Sequence, residues 1–333
     1  MRGFTLSAFF TRVLPLLAIA WLPGCGDEIR SGVDEPIRVE QAIFRPGRMP
    51  GIEPFEGSAA AEGSVEPTGP DVTTVEIAGG IFYRWQQNRR IAGRVSPEGA
   101  AIALQIADQG SGYWIRPVDG ADALADGEQT FELFASIGDL EPGLHSLRLV
   151  AIDEQGIAGQ QRDFPICIAA EIPDNLNSCE PTLKPPGAIV SLYWNANADV
   201  DLVLIGPDGQ VLDARRPFGT SADGGIPADV LRDPTIPRFD RDSNAGCAVD
   251  GRRRENIVFP EPPESGTWLI HARLYESCGV PSVNVVAEVY RRLEGAENTW
   301  SLLRVAEAGT TFNAVQADGG AGNLTYLFPL TFP

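Results

Sequence analysis

From about residue 73 to residue 166, the chain consists of short runs in which apolar and polar residues alternate. Side chains of a β-strand point in turn to its two faces, so each run predicts a strand with one buried face. In the clearest run, Leu147, Leu149 and Ala151 share one face, and Ser146 and Arg148 share the other. The strands predicted in this part of the chain span residues 91–95, 101–107, 113–118, 131–135 and 144–153.

A second series of alternating runs begins at residue 187. The run 200–205 ends at residues 206–209, Gly-Pro-Asp-Gly, a strong turn signal, and residues 210–213 are expected to return as its hairpin partner. Residues 214–256 contain several Pro and Gly and many Asp, and they predict a long loop of the kind that often serves function. Further strands are predicted at residues 188–194, 268–275, 283–291, 300–305 and 325–332, with Trp268, Ile270, Ala272 and Leu274 on one face.

The N-terminus has the pattern of an export signal. Arg2 and Arg12 precede an apolar run at residues 13–22, which is shorter than the roughly 20 residues that a membrane-spanning helix needs. The run ends at Leu22-Pro-Gly-Cys25, which resembles the lipobox of bacterial lipoproteins. The resemblance implies cleavage before Cys25 and attachment of acyl chains to its sulfur and to the new amine. The alternative is an ordinary secreted protein with an unrelated cysteine.

The stretch from residue 25 to residue 71 is rich in Gly, Glu, Pro and Ala and has few bulky apolar residues. Such a composition cannot bury enough apolar surface to offset the entropy of ordering, so we predict a disordered tether. Over the whole chain, 36 Gly and 27 Pro favour turns and short strands over long helices.

Four cysteines remain after Cys25, and four cysteines allow three pairings. Proximity in sequence favours disulfides Cys167–Cys179 and Cys247–Cys278, as expected of an exported protein. A zinc site is the rival interpretation. It is disfavoured because no two cysteines stand two to four residues apart and the chain has only 2 histidines.

These patterns predict an all-β protein with two β-sandwich domains in tandem after a signal peptide and a tether. The predicted parts are a lipoprotein signal peptide at 1–24, a disordered tether at 25–71, a first sandwich at 72–166, a disulfide-closed junction at 167–186 and a second sandwich at 187–333.

The net charge of the chain indicates which classes of partner it can bind. The formal net charge is −19, with 45 acidic against 26 basic residues. Such a field repels phosphate backbones, so no nucleic-acid partner is expected, whereas divalent cations are attracted.

Acidic side chains in the second module form a candidate calcium site. Asp199 and Asp201 stand two apart and would point to the same side of a strand, and Asp240, Asp242 and Asn244 repeat this spacing on the loop. Calcium takes six to eight oxygen ligands from carboxylates, amides, carbonyls and water. The competing interpretation is a set of Asp-rich turns in an acidic exported protein.

Two resemblances support the fold. Residues 142–156, with Pro-Gly, alternating Leu and Ala, and then Asp and Gly, are similar to the penultimate strand of bacterial immunoglobulin-like domains. Residues 188–290 contain Leu-Tyr-Trp-Asn, Asp-Val-Asp-Leu-Val-Leu, Pro-Asp-Gly, Glu-Asn-Ile and Gly-Thr-Trp-Leu-Ile-His-Ala in that order. This order resembles the YfaP-like family of bacterial envelope proteins and, more loosely, the pre-peptidase C-terminal domains of secreted proteases. Both resemblances of the second module imply a small β-sandwich, and the latter group often binds calcium at such acidic positions.

The sequence lacks a Gly-x-Ser-x-Gly elbow, a His-Glu-x-x-His motif and a phosphate-binding loop. We therefore expect a non-enzymatic protein, anchored through lipid in the bacterial cell envelope, at the periplasmic or surface face of the outer membrane. It would bind or scaffold an envelope protein or a glycan and be stabilised by Ca²⁺. The alternative is a hydrolase, or a hydrolase accessory module, that uses acidic residues of the second module.

Overall fold

The computed structural model describes residues 32–51, 69–219, 233 and 236–332. Within these ranges the chain is built from β-strands and contains no α-helix, so the predicted all-β class is confirmed. None of the helices there has the length and apolar character that crossing a membrane requires. The helical segments described are three single 3-10 turns at Ala245–Cys247, Ala296–Asn298 and Ala314–Gln316.

Eleven strands of the described residues form the N-terminal module. They are β1 Ile37–Val39, β2 Ile43–Pro46, β3 Val72–Ile77, β4 Ile81–Tyr83, β5 Arg89–Val95, β6 Gly99–Ile106, β7 Gly112–Pro117, β8 Gly120–Ala121, β9 Gln129–Ile137, β10 Gly143–Asp153 and β11 Arg162–Ala169.

These strands make two sheets that share one core. Sheet A has the order β1-β9-β5-β3, with β8 also pairing with β9, and sheet B has the order β2-β7-β6-β10-β11-β4. Phe131 of sheet A and Leu147 and Leu149 of sheet B belong to the same buried cluster, so the two sheets form a sandwich. Leu147, Leu149 and Ala151 are fully buried, as their alternation with Ser146 and Arg148 predicted.

The prediction of a disordered tether over residues 25–71 was wrong for residues 32–51. β1 pairs with β9, with Ile37 opposite Ile137, and β2 pairs with β7. Ile37 is 2% exposed, and Met49 packs with Ala103 and Val150 of sheet B. A few apolar residues are enough here because the segment adds to sheets that already have a core. Residues 52–68, like the signal peptide and Cys25, lie outside the described residues.

In the part of the C-terminal module that the structure describes, the chain forms nine strands. They are β12 Ala188–Trp194, β13 Asp199–Ile205, β14 Val211–Leu212, β15 Arg238–Phe239, β16 Arg254–Phe259, β17 Gly266–Glu276, β18 Ser282–Glu294, β19 Trp300–Asn313 and β20 Thr325–Phe332.

The C-terminal strands also form a sandwich. Sheet C has the order β15-β16-β12-β18-β19, and sheet D has the order β14-β13-β17-β20. Its core joins side chains of both sheets, with Trp268 of β17 lying edge-on to Phe259 of β16 at a ring-centroid distance of 5.1 Å. The predicted apolar face of β17 is confirmed, because Trp268, Ile270, Ala272 and Leu274 are all buried.

One central strand of the second sandwich was missed. The predicted loop 214–256 includes the start of this strand and no strand was predicted at residues 257–259, but β16, Arg254–Phe259, lies between β15 and β12 inside sheet C. The run of arginines at residues 252–254 hides its alternation, since Ile257 and Phe259 face the core while the strand begins with charged residues. Glu255 shares the inward face of Ile257 and Phe259, which places a carboxyl group between the sheets.

Both predicted disulfides are confirmed. Cys167 of β11 is bonded to Cys179 with an S–S distance of 2.03 Å, and Cys247 is bonded to Cys278 at 2.08 Å. The first disulfide closes the segment that follows the N-terminal sandwich. The second attaches the loop between β15 and β16 to the end of β17, next to the acidic residues singled out above.

Candidate functional site

Three carboxylates lie together at one end of β13. Asp199 and Asp201 belong to β13, and Asp242 belongs to the loop between β15 and β16. One oxygen from each carboxylate lies within 4.8 Å of an oxygen from each of the other two. We call this group, Asp199, Asp201 and Asp242, the acidic cluster. It contains three of the five residues that the sequence indicated as calcium ligands.

The cluster is buried on one side and open on the other. Asp199 is 2% exposed and Asp201 is 4% exposed, whereas Asp242 is exposed to solvent. An ion could therefore reach the two buried carboxylates past Asp242.

Each buried carboxylate has a defined partner. The amide of Gly246 donates a hydrogen bond of 2.6 Å to Oδ2 of Asp199, but Oδ1 of Asp199 is buried and has no hydrogen-bond partner. Arg273 of β17 donates two hydrogen bonds to Oδ2 of Asp201, one of them from Nε at 2.8 Å. Buried acceptors nearly always have a partner, so the unpartnered oxygen of Asp199 leaves one acceptor of the cluster available to a ligand.

Glu255 adds a fourth acidic group behind the cluster. Its carboxyl group accepts a hydrogen bond of 2.7 Å from the amide of Leu202 and one of 3.2 Å from the amide of Ser243. β14 covers the edge of β13 only at Leu204 and Ile205, so Glu255 satisfies an amide of the uncovered part of that edge. Its role is structural, and it does not belong to the acidic cluster.

Burial makes the charged forms of these acids unfavourable. It raises the pKa of Asp199 to about 7; the hydrogen bond from Gly246 opposes this, and the nearby charges of Asp201, Asp242 and Glu276 add to it. Burial also raises the pKa of Asp201, in spite of its bonds with Arg273, and the pKa of Asp242. A bound cation would remove this penalty because it stabilises the ionised carboxylates.

The other two predicted ligands, Asp240 and Asn244, make hydrogen bonds that stabilise the loop between β15 and β16. Asp240 accepts hydrogen bonds of 2.8 Å from both the amide and the side chain of Asn256. The side chain of Asn244 donates to the carbonyl of Ala198 at 3.1 Å and accepts from the amide of Asp250 at 3.2 Å. Asp240 is not part of the acidic cluster, whereas Asn244, bonded to the carbonyl of Ala198, lies beside Asp199 with its amide group engaged by neighbouring backbone.

The arrangement suits a hard cation that prefers oxygen. Three carboxylates supply part of the six to eight oxygens that calcium takes, and backbone carbonyls and water would supply the rest. The residues therefore fit calcium, and the unpartnered Oδ1 of Asp199 is the observation that supports the fit.

Among the described residues, two cavities lie away from the acidic cluster. An open groove of about 490 Å³ crosses the outer face of sheet A and is lined by Arg90, Glu132 and Phe134 among others. A cavity of about 350 Å³ lies between the junction and sheet C, beside Tyr290 and Trp300. Neither of these two is lined by a carboxylate of the acidic cluster.

Comparison with protein-family models and with curated protein sequences gives no match for this chain. Among solved structures, the chain is similar to the crystal structure of dimeric latent PorU from Porphyromonas gingivalis, with 12% sequence identity and a TM-score of 0.23. The similarity covers 78% of this chain and 21% of the PorU chain, so this protein spans about a fifth of that length. A TM-score this low supports no inference about function or site residues.

Proposed function

We propose that this chain is a non-enzymatic, lipid-anchored binding or scaffolding protein of the bacterial cell envelope whose C-terminal sandwich is stabilised by calcium. The second module would be a YfaP-like or pre-peptidase C-terminal-like sandwich, and the first an immunoglobulin-like one. The observation that carries the proposal is the acidic cluster, in which a buried carboxylate oxygen of Asp199 lacks a partner.

The charge balance of the site favours a divalent ion. The charges of Asp201 and Asp242 add to the effect of burial in raising the pKa of both Asp199 and Glu255, and Arg273 is the cation bonded to Asp201. Buried charges are tolerated when they are paired or coordinate a metal. Calcium would neutralise two of the remaining negative charges.

Calcium is expected to stabilise the purified exported chain against unfolding. A ligand that binds only the folded state contributes about 2.7 kcal/mol at a concentration one hundred times its dissociation constant. We therefore expect a gain of about 2–3 kcal/mol in the free energy of unfolding between chelator and millimolar calcium, measured by denaturant titration with Trp fluorescence.

Two variants make this test specific. Asp199→Asn should abolish the calcium effect, whereas Asp240→Asn, which keeps an acceptor for the Asn256 amide, should retain it. Absence of any calcium heat and of any stability gain in the unmodified protein would remove calcium from the proposal. A loss of calcium binding in Asp240→Asn alone would instead favour the ligand set that includes the loop residues.

The membrane attachment is tested separately, in cells. We expect labelled palmitate to enter the wild-type protein and to be absent from a Cys25→Ala variant, because Cys25 is the residue to which the lipobox resemblance assigns the acyl chains. Several acyl chains give stable anchoring where a single one does not, so the variant should also leave the membrane fraction. Equal labelling of the two proteins would refute the anchor.

The binding role is consistent with two features of the fold. Its candidate surface is the open groove on sheet A, where Arg90 and Glu132 offer hydrogen-bonding groups beside the partly exposed ring of Phe134. The two cavities lie apart from the acidic cluster, so the candidate binding surface and the candidate cation site are separate.

A further inference from the structure

Arg273 is built into the acidic cluster as a positive charge. It lies opposite Asp201 in the ladder between β13 and β17, and it is 7% exposed. Its guanidinium group bonds to Oδ2 of Asp201 through two nitrogens. The same group lies 5.8 Å from the ring centroid of Tyr275, two residues further along β17.

A divalent ion and this guanidinium group would compete for the same carboxylate. Both carry positive charge, and both are attracted to Asp201, whose burial makes an unpaired negative charge unfavourable. An ion bound to Asp201 would lie next to the guanidinium group of Arg273, which is in hydrogen-bond contact with the same carboxylate. The two positive charges would repel each other. Coordination through Oδ2 of Asp201, the oxygen to which Arg273 is bonded, therefore requires Arg273 to move away.

We propose that Arg273 is a resident counter-ion of the acidic cluster, and that a divalent cation displaces its guanidinium group from Asp201. The inference rests on the proposed calcium site and names the residue that sets its affinity. Without the ion, Arg273 neutralises one buried carboxylate. With the ion, Asp201 becomes a ligand, and the guanidinium group of Arg273 turns from Asp201 towards the nearby Tyr275 ring, whose face attracts a cation.

The geometry of the pair makes the exchange feasible. Both bonds from Arg273 end on a single oxygen of Asp201, so the pair lacks the two parallel bonds of the strongest arginine–carboxylate geometry. Displacement also favours divalent over monovalent ions. A sodium ion that replaced Arg273 would bring no more charge than the guanidinium group it displaced, whereas calcium would bring one charge more.

Calcium titration by calorimetry tests the exchange. We expect Arg273→Gln to bind calcium at least tenfold more tightly than the wild type, because the competing charge is gone. The matched control is Arg148→Gln, which removes an arginine bonded to Asp163 at 2.7 Å in the first sandwich and should leave calcium affinity unchanged. Equal or weaker binding by Arg273→Gln, with a wild type that does bind, would overturn the inference and leave the calcium proposal standing.

The two remaining outcomes are also decisive. Binding by Arg273→Gln but not by the wild type would support the counter-ion role and contradict calcium stabilisation of the natural protein. Absence of binding by both would contradict both proposals.

Nuclear magnetic resonance of the wild type gives a test that does not depend on a variant. The Nε–H signal of Arg273, assigned in calcium-free protein, is expected to shift and to exchange faster with water as calcium is added, because its bond to Asp201 is lost. The Nε–H of Arg148 should be unchanged. An Arg273 signal that stays in place at calcium saturation would show that the ion and the guanidinium group do not compete.

Discussion

Replacement of Glu255 by alanine is expected to lower the free energy of unfolding by about 3–5 kcal/mol. The side chain is fully buried, and its carboxyl group accepts hydrogen bonds from the amides of Leu202 and Ser243. A buried amide that loses its acceptor costs about 1–3 kcal/mol, and the missing side chain also leaves a cavity. The loss would separate the uncovered edge of β13 from the loop that contains Asp242.

The Glu255→Gln variant distinguishes the effect of the charge of Glu255 from the effect of its hydrogen bonds. Burial raises the pKa of Glu255 well above its ordinary value, so the group resembles a neutral acid that Glu255→Gln imitates in size and in one acceptor. We expect a cost of about 1–2 kcal/mol for that variant, because one amide loses its acceptor. Alanine at exposed Glu294 is the control and should have little effect. The comparison uses denaturant unfolding in chelator, and equal stability of Glu255→Ala and Glu294→Ala would refute the structural role.

The face of each strand could be predicted from the sequence where apolar residues alternate without interruption. Trp268 and the apolar residues that alternate with it on β17 face the core because a strand shows period two whatever its partners are. The same rule placed Asp199 and Asp201 on one side of β13, and their carboxylates do lie together. Cysteine spacing likewise favoured the two disulfides that form.

Pairing between distant strands could not be predicted in this way. Arg273 meets Asp201 only through the register of β13 on β17, and the two residues are 72 positions apart. A shift of one residue would turn Arg273 to the opposite face, so alternation alone gives no partner. The spacing of Asp240 and Asn244 suggested that both are ligands. Spacing alone could not show that both side chains accept hydrogen bonds from backbone amides.

Three of the strands that were missed share a physical cause. β1 and β2 are short and have few apolar residues, and β16 begins at the end of an arginine run. Each is stabilised by sheets that the rest of the chain provides, so local sequence holds little of the signal. The positions of Ile37 and Glu255 are explained only by their contacts with distant strands. Ile37 lies opposite a residue of β9, and Glu255 accepts a hydrogen bond from β13.

The disulfide Cys247–Cys278 connects the loop of the acidic cluster to the end of β17, the strand that pairs with β13. Cys247 follows Gly246, whose amide bonds to Asp199, and Cys278 follows β17, the strand of Arg273. The bond therefore fixes the position of the loop that contains Asp242 relative to the strand that lies beside β13. Stability and cation binding should both depend on it.

Replacement of both Cys247 and Cys278 by alanine is expected to lower the free energy of unfolding by about 3–4 kcal/mol and to weaken calcium binding at least tenfold. The first figure follows from the chain entropy that a crosslink removes from the unfolded state, here between residues 31 positions apart. The second follows because Gly246 and Asp242 lose their fixed position. Denaturant unfolding and calorimetric calcium titration measure the two effects on the same samples.

The double variant Cys167→Ala with Cys179→Ala is the matched control for this last prediction. Its crosslink joins residues 12 positions apart and lies outside the second sandwich, so its removal should cost about 3 kcal/mol. Calcium affinity should be unchanged in this control, because none of the cluster residues is attached to that segment. If both double variants lost calcium binding equally, the effect would reflect general destabilisation. Weaker binding in the Cys247 and Cys278 variant alone would show that the second disulfide positions the ligands.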